Sequence, residues 1–229
     1  MIQAWETIFP IITMKVDDKA KVAHLARFLG CGFFINKFGF LLTCAHVINE
    51  ASIAGEYLGV QNMMDGKRYF VHVIAKDDER DIAICRINSE SFFKMEVDYE
   101  RKVCGIDVCS FGLTIHEVVG PDIGLDMTFF KGYICGIPKI IPFFPDLTRT
   151  YLLSYPVLKG FSGAPLICNE KVCGMLYENK TSQVVDHHVK EIKDGLETYS
   201  EKVSRIYEFG MAHPIDILLE YVKKSGIEI

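Results

Sequence analysis

The chain has 229 residues, of which 49% are hydrophobic and 24% charged, with a formal net charge of −5. That balance excludes a disordered, collagen-like or coiled-coil chain and leaves room for one large domain or two small ones with a sizeable core. A mildly acidic chain without a Lys/Arg run carries no overall footprint for nucleic acid.

The opening, MIQAWETIFPII, has no basic n-region and no small-residue cleavage pattern, so no secretory signal is expected. Residues 17–28 read as a weakly patterned helix. Short β-type runs then dominate: 32–36, 38–42, 69–75, 82–87, 103–111, 129–137, 151–158, 172–177 and 206–212. Gly, Pro and Asp punctuate them, which points to an all-β sandwich or barrel rather than alternating βα units. Between the last two runs, residues 180–205 carry ten charges in 26 positions and read as an exposed arm or loop. Ile215, Leu218, Leu219 and Val222 follow helical spacing after Pro214, which suits a first helical position. Lys223 and Lys224 fall in the last turn and Gly226 caps it. No run reaches about 18 apolar residues, so no membrane span or membrane partner is expected.

The eight cysteines are Cys31, Cys44, Cys85, Cys104, Cys109, Cys135, Cys168 and Cys173. No pair has CxxC spacing, so no zinc or redox motif is read, and no metal or cofactor is expected. Most sit in apolar runs, as buried thiols do. With no leader, reduced thiols in a cytosol are the expectation.

Three motifs carry chemistry. Leu42-Thr43-Cys44-Ala45-His46-Val47 ends an apolar strand, Asp81-Ile82-Ala83-Ile84 places a carboxylate before another, and Gly160-Phe161-Ser162-Gly163-Ala164-Pro165-Leu166 is a glycine-rich turn around a serine. A nucleophilic serine needs a base within hydrogen-bond reach, and the base needs an acceptor that fixes its tautomer and stabilises its cation. A tetrahedral oxyanion needs preorganised N–H donors. Alone, each motif has a bland reading: a core histidine, a turn aspartate, a serine in a flexible turn. In the order His46, Asp81, Ser162 they form one constellation.

That constellation resembles the trypsin-like (chymotrypsin-fold) serine peptidases, most of all the compact bacterial branch that includes the HtrA/Deg proteases. The family's T-A-A-H appears as Thr43 to His46, its D-[IL]-A-L as Asp81 to Ile84, and its G-[DN]-S-G-G-P-L as Gly160 to Leu166. Flanking runs at 32–35, 108–112 and 209–218 extend the likeness over roughly residues 28–225. The resemblance implies two packed six-stranded antiparallel β-barrels with a C-terminal helix. Residues 1–101 would be the first barrel with an N-terminal extension, and 102–229 the second, with the charged insertion. His46, Asp81 and Ser162 would be catalytic, with an oxyanion hole from Gly160, Phe161 and Ser162.

Two departures matter. Phe161 stands where secreted trypsins carry the Asp that pairs with a new N-terminus, so that zymogen switch is not expected. Ala164 replaces a usual glycine, which is tolerated where φ is negative. By offset from the serine, Pro156 and Val157 fall where trypsins keep the carboxylate that selects a basic residue. An apolar floor there favours an apolar or small side chain at P1, the substrate residue whose carbonyl is attacked. Glu178 or Glu208 would be the carboxylates able to rescue a basic one. Tyr177, Glu178 and Asn179 align with the edge that pairs with substrate backbone.

The leading expectation is a cytoplasmic, bacterial serine endopeptidase acting on protein or peptide substrates through an acyl-enzyme. A second reading is a latent or inactive protease-fold module that binds a protein partner. A third makes the chain the protease domain of a larger protein, awaiting an activating partner or further domains. Residues 180–205 are the candidate lid, Phe143-Phe144 a candidate hydrophobic loop tip, and His213 reads as leading into the last helix.

Overall fold

In this computed structural model, residues 8–17, 19, 22–88, 95–119, 122–137, 150–193 and 197–228 are described, with backbone alone at 117–119, 122–123, 183–193 and 197–205. Twelve strands form two closed six-stranded barrels, and all their pairings are antiparallel. The two-barrel architecture with a C-terminal helix is the one the resemblance implied. The first barrel comprises β1 (Phe9–Asp17), β2 (Val22–Phe34), β3 (Phe40–Thr43), β4 (Tyr57–Gln61), β5 (Arg68–Asp77) and β6 (Ile82–Ile87), closed in the order β1-β2-β3-β6-β5-β4. The second comprises β7 (Asp107–Val119), β8 (Asp122–Gly136), β9 (Tyr151–Leu153), β10 (Pro165–Cys168), β11 (Lys171–Lys193) and β12 (Glu197–Pro214), in the order β10-β11-β12-β9-β8-β7. The expected boundary at 101/102 falls in the connection between β6 and β7.

Apolar strands make the barrels. Leu41, Leu42, Ile82, Ile84 and Cys85 are fully buried on the paired strands β3 and β6. Phe9 packs edge-on against Phe34 with ring centroids 4.5 Å apart. In the second barrel Leu113, Ile134, Leu153, Leu166 and Leu176 fill the interior with Phe161.

Three readings change. Residues 22–28 are strand, not helix: they pair with β1, Met14 opposite Leu25 and Ile12 opposite Phe28. Ala, Leu and Arg favour helix only weakly, and a paired neighbour overrides that bias. Residues 180–205 are not an irregular arm, since β11 and β12 stay paired out to Lys193 opposite Glu197. The ten charges of this stretch give it a loop-like composition. Strands β1, β4 and β10 are additions, each short or masked in sequence by Pro or Gly. Phe143-Phe144 lies outside the described residues.

A short helix, α1 (Ala45–Asn49), follows β3, and the terminal helix α2 spans Ile215–Lys224. Pro214 stands one place before α2 as its N-cap, with extended ψ of 149°, rather than inside the first turn. Asp216 in the first turn and Lys223 and Lys224 in the last complement the helix dipole. Gly226, at φ 73°, donates to the Lys223 carbonyl and Ile227 to that of Val222, a Schellman ending. Ile215, Leu218 and Val222 are buried with the first barrel's core, although α2 continues from the second barrel. Asn36 Nδ2 donates to the Glu228 carbonyl at 2.7 Å, so the C-terminus straps the two barrels together. Among the described residues, no helix is long and apolar enough to cross a membrane.

Candidate active site

His46 is the second residue of α1, just after β3, and Asp81 sits in the turn that leads into β6, the strand paired with β3. The pairing of Thr43 with Ala83 brings the two residues together. Asp81 accepts twice from His46: its Oδ1 from the backbone N–H at 2.8 Å and its Oδ2 from ring Nδ1 at 2.7 Å. With Nδ1 holding the donated proton, Nε2 is the free base. Asp81 has φ of 55°, a left-handed conformation that Asp tolerates better than most residues. The hydrogen bond to Asp81 raises the His46 pKa above its ordinary 6.5, against the opposing effect of burial.

The Ser162 turn is set by its neighbours. Gly160 has φ of 99° and Gly163 of 86°, both left-handed. A Cβ on Gly163 would run into the Cys31 carbonyl, and one on Gly160 into that of Leu113, so both positions need glycine. Ala164 is not among the left-handed residues, as its methyl group requires. Phe161 is fully buried, with its ring centroid 5.6 Å from that of Phe130 and Gly112 pressed against its face. Burial of this ring contributes roughly 1.5–3 kcal/mol to holding the turn, where secreted trypsins use an ion pair.

The amide of Phe161 donates to the Leu158 carbonyl at 2.9 Å, which corrects its expected place as an anion donor. The amides of Gly160 and Ser162 donate to no group among the described residues. Barrel one grips this turn through Cys31, whose N–H donates to the Ser162 carbonyl at 2.8 Å and whose thiol donates to the Gly160 carbonyl at 3.1 Å. Burial pushes the Cys31 thiol up to about 12, so it remains a donor. The Ser162 hydroxyl donates to the Tyr177 carbonyl at 3.4 Å and makes no hydrogen bond to His46.

A cleft of about 670 Å³ opens beside His46 and Asp81, lined also by Asp78, Glu79, Tyr177, Glu178 and His213 among others. Tyr177 is held three ways. Its ring stacks on His213 at 4.0 Å, its hydroxyl bonds Thr150 Oγ1 at 2.9 Å, and its carbonyl accepts a hydrogen bond from the Ser162 hydroxyl. His213 lies at the end of β12, one place before the Pro214 N-cap of α2, and burial pushes its pKa down to about 4, so it is neutral at ordinary pH. No sequence signal gives His213, Thr150 or Cys31 a place at the site; the tertiary fold brings them here.

The expected specificity residues separate. Glu178 lines the His46 cleft, and Glu208 is exposed on β12 opposite Thr181, so neither carboxylate is paired with the Val157 segment. Pro156 and Val157 lie in the turn after β9, and Asn179 bonds both backbone groups of Val157. Cys44, His46 and Asp81 offer ligand atoms within 4.8 Å of one another. The Cys44 thiol donates to the Leu176 carbonyl, and burial holds its pKa well above the ordinary range. It is therefore a poor metal ligand, since metals take the thiolate.

A sequence profile described as the trypsin-like peptidase domain matches residues 30–175, from the Cys31 strand through the serine turn into β11. The chain belongs to the trypsin-like peptidase family. Two curated relatives agree in part. One is a probable periplasmic serine endoprotease, DegP-like, of Halomonas elongata, 27% identical over 143 residues. The other is the uncharacterized protein y4bJ of Sinorhizobium fredii, 30% identical over 139 residues. The alignments cover 61% and 60% of this chain but 27% and 20% of the relatives' own lengths, so the chain matches a minor part of each. This trypsin-like domain has the serine-protease two-barrel fold, with peptides or proteins as the substrates of its family.

Proposed function

We propose that the chain is a serine endopeptidase in which Ser162, His46 and Asp81 act together. The observation that carries this reading is the pair of hydrogen bonds from His46 to Asp81 beside a serine on a turn whose Gly160 and Ser162 amides are unspent. Ser162 Oγ turns from the Tyr177 carbonyl toward His46 Nε2 and attacks the scissile carbonyl as His46 takes its proton. The Gly160 and Ser162 amides receive the oxyanion, while Asp81 steadies the imidazolium. The imidazolium then protonates the leaving amine, and water repeats the sequence to free the acyl group. Phe161 anchors the turn from inside and takes no part in the hole.

A cytoplasmic, reducing setting is part of the proposal, supported by eight unpaired cysteines of which five are buried. The alternative of a latent module awaiting a partner or further domains is favoured by one observation, the Ser162 hydroxyl directed at Tyr177 rather than His46. Labelling with a fluorophosphonate, read by intact mass, separates the two. The expected result is one adduct on the wild type and none on Ser162→Ala or His46→Ala. An unlabelled wild-type protein that melts cooperatively would overturn the active reading.

A further inference from the structure

We infer that Asn179 closes the pocket beside Ser162 and restricts the residue on the acyl side of the scissile bond to Gly, Ala or Ser. The inference rests on the peptidase reading above and names its substrate class. Ser162 Oγ lies 3.4 Å from the Tyr177 carbonyl, and a substrate carbonyl at Ser162 with its chain along 177–179, as the family resemblance implies, would send its side chain toward the gap between β11 and the segment 155–158. Asn179 spans that gap. Its Oδ1 accepts from the Val157 N–H at 2.6 Å, and its Nδ2 donates to the Val157 carbonyl at 2.7 Å. One planar carboxamide thus satisfies both backbone groups of Val157 and is fixed in the plane they define.

The third wall is equally tight. Gly210 of β12 pairs directly with Asn179 and donates to the Tyr155 carbonyl at 2.8 Å. A Cβ there would press on that carbonyl and sit 3.1 Å from Val157 Cγ2. Val157 itself is buried, so its side chain packs inward instead of forming an open floor. Opening the gap for a Leu, Phe or Lys side chain would break both bonds to Asn179 and leave the Val157 backbone groups unpaired. Each lost pairing leaves a polar backbone group without a partner, which disfavours the larger side chain. A hydrogen or a methyl group fits above the carboxamide, and a serine hydroxyl meets the remaining Nδ2 proton or Oδ1 lone pair. Selection of larger side chains then falls to the separate cleft by His46.

The test is cleavage of peptides differing only at that position, by the wild type and by Asn179→Gly. Wild-type kcat/KM is expected to favour Ala, Ser and Gly over Leu, Phe and Lys by at least about ten-fold. In Asn179→Gly the ratio of Phe to Ala should rise by at least about ten-fold. An unchanged ratio in a variant that still takes the fluorophosphonate would overturn the inference and leave the peptidase standing. Wild-type preference for a large residue would do the same, even if the variant did not fold. A wild type that neither labels nor cleaves would sink the peptidase reading and this inference with it.

Discussion

The bond between His46 Nδ1 and Asp81 Oδ2 makes the imidazole a stronger base than a free histidine, with a pKa above 6.5. His46 accepts a proton only when neutral, so the rate of fluorophosphonate labelling should fall as pH drops through a value above 6.5. In Asp81→Asn the acid limb should move down, and the rate should drop by about 10³- to 10⁴-fold, because the ring loses its tautomer and its counter-charge. A limb that stays in place would mean another group sets it. The same shift bears on stability: the pair's contribution is full below the unfolded pKa near 6.5 and is lost as pH rises through the raised folded value. Both residues were legible in sequence, because each sits next to a strand that fixes its direction. Phe161 was legible only in part. Its identity excluded an ion pair, but the commitment of its amide to Leu158 depends on a turn seen only in three dimensions.

At the scale of elements, the paired arms of β11 and β12 stand out. Strand β10 pairs with β11 only as far as Met175, and β9 pairs with β12 only over Gly210–Ala212. Beyond the Asn179–Gly210 pair, β11 and β12 pair only with each other among the described residues. A lone two-stranded ribbon adds little stability. Replacing residues 183–206 by Asn-Gly, a two-residue hairpin turn between the paired Ser182 and Tyr207, should therefore shift the melting temperature by less than about 4 °C. Loss of cooperative melting would show that the ribbon completes the barrel. The element boundaries explain the misreading of residues 22–28 too. Local propensity and spacing describe a segment by itself, whereas β2 exists because β1 lies beside it.

On the scale of the whole molecule, the site exists only where the barrels touch. Cys31 is the seam: its thiol holds the Gly160 carbonyl, its N–H the Ser162 carbonyl, and its own carbonyl accepts from Thr43 Oγ1 at 2.7 Å. Cys31→Ala removes the donor to Gly160 at a cost of about 1 kcal/mol, so fluorophosphonate labelling should slow several-fold. Cys31→Ser keeps a donor and should recover most of that rate. Equal rates in both variants and the wild type would show that the seam does not position the turn. The terminal helix reinforces the same contact, carrying the second barrel's chain into the first barrel's core.

The sequence by itself determined the all-β class, the amphipathic terminal helix and the three chemical residues with their order. Those features are local: alternation, capping chemistry, and motifs whose glycine and serine positions answer to backbone conformation within one turn. The tertiary structure alone decided that β2 is a strand, that His213 and Thr150 brace Tyr177, that Cys31 grips the serine turn, and that Asn179 spans the gap to Val157. Each of these joins separate segments of the chain, and only the closing of the barrels brings such positions within hydrogen-bond reach.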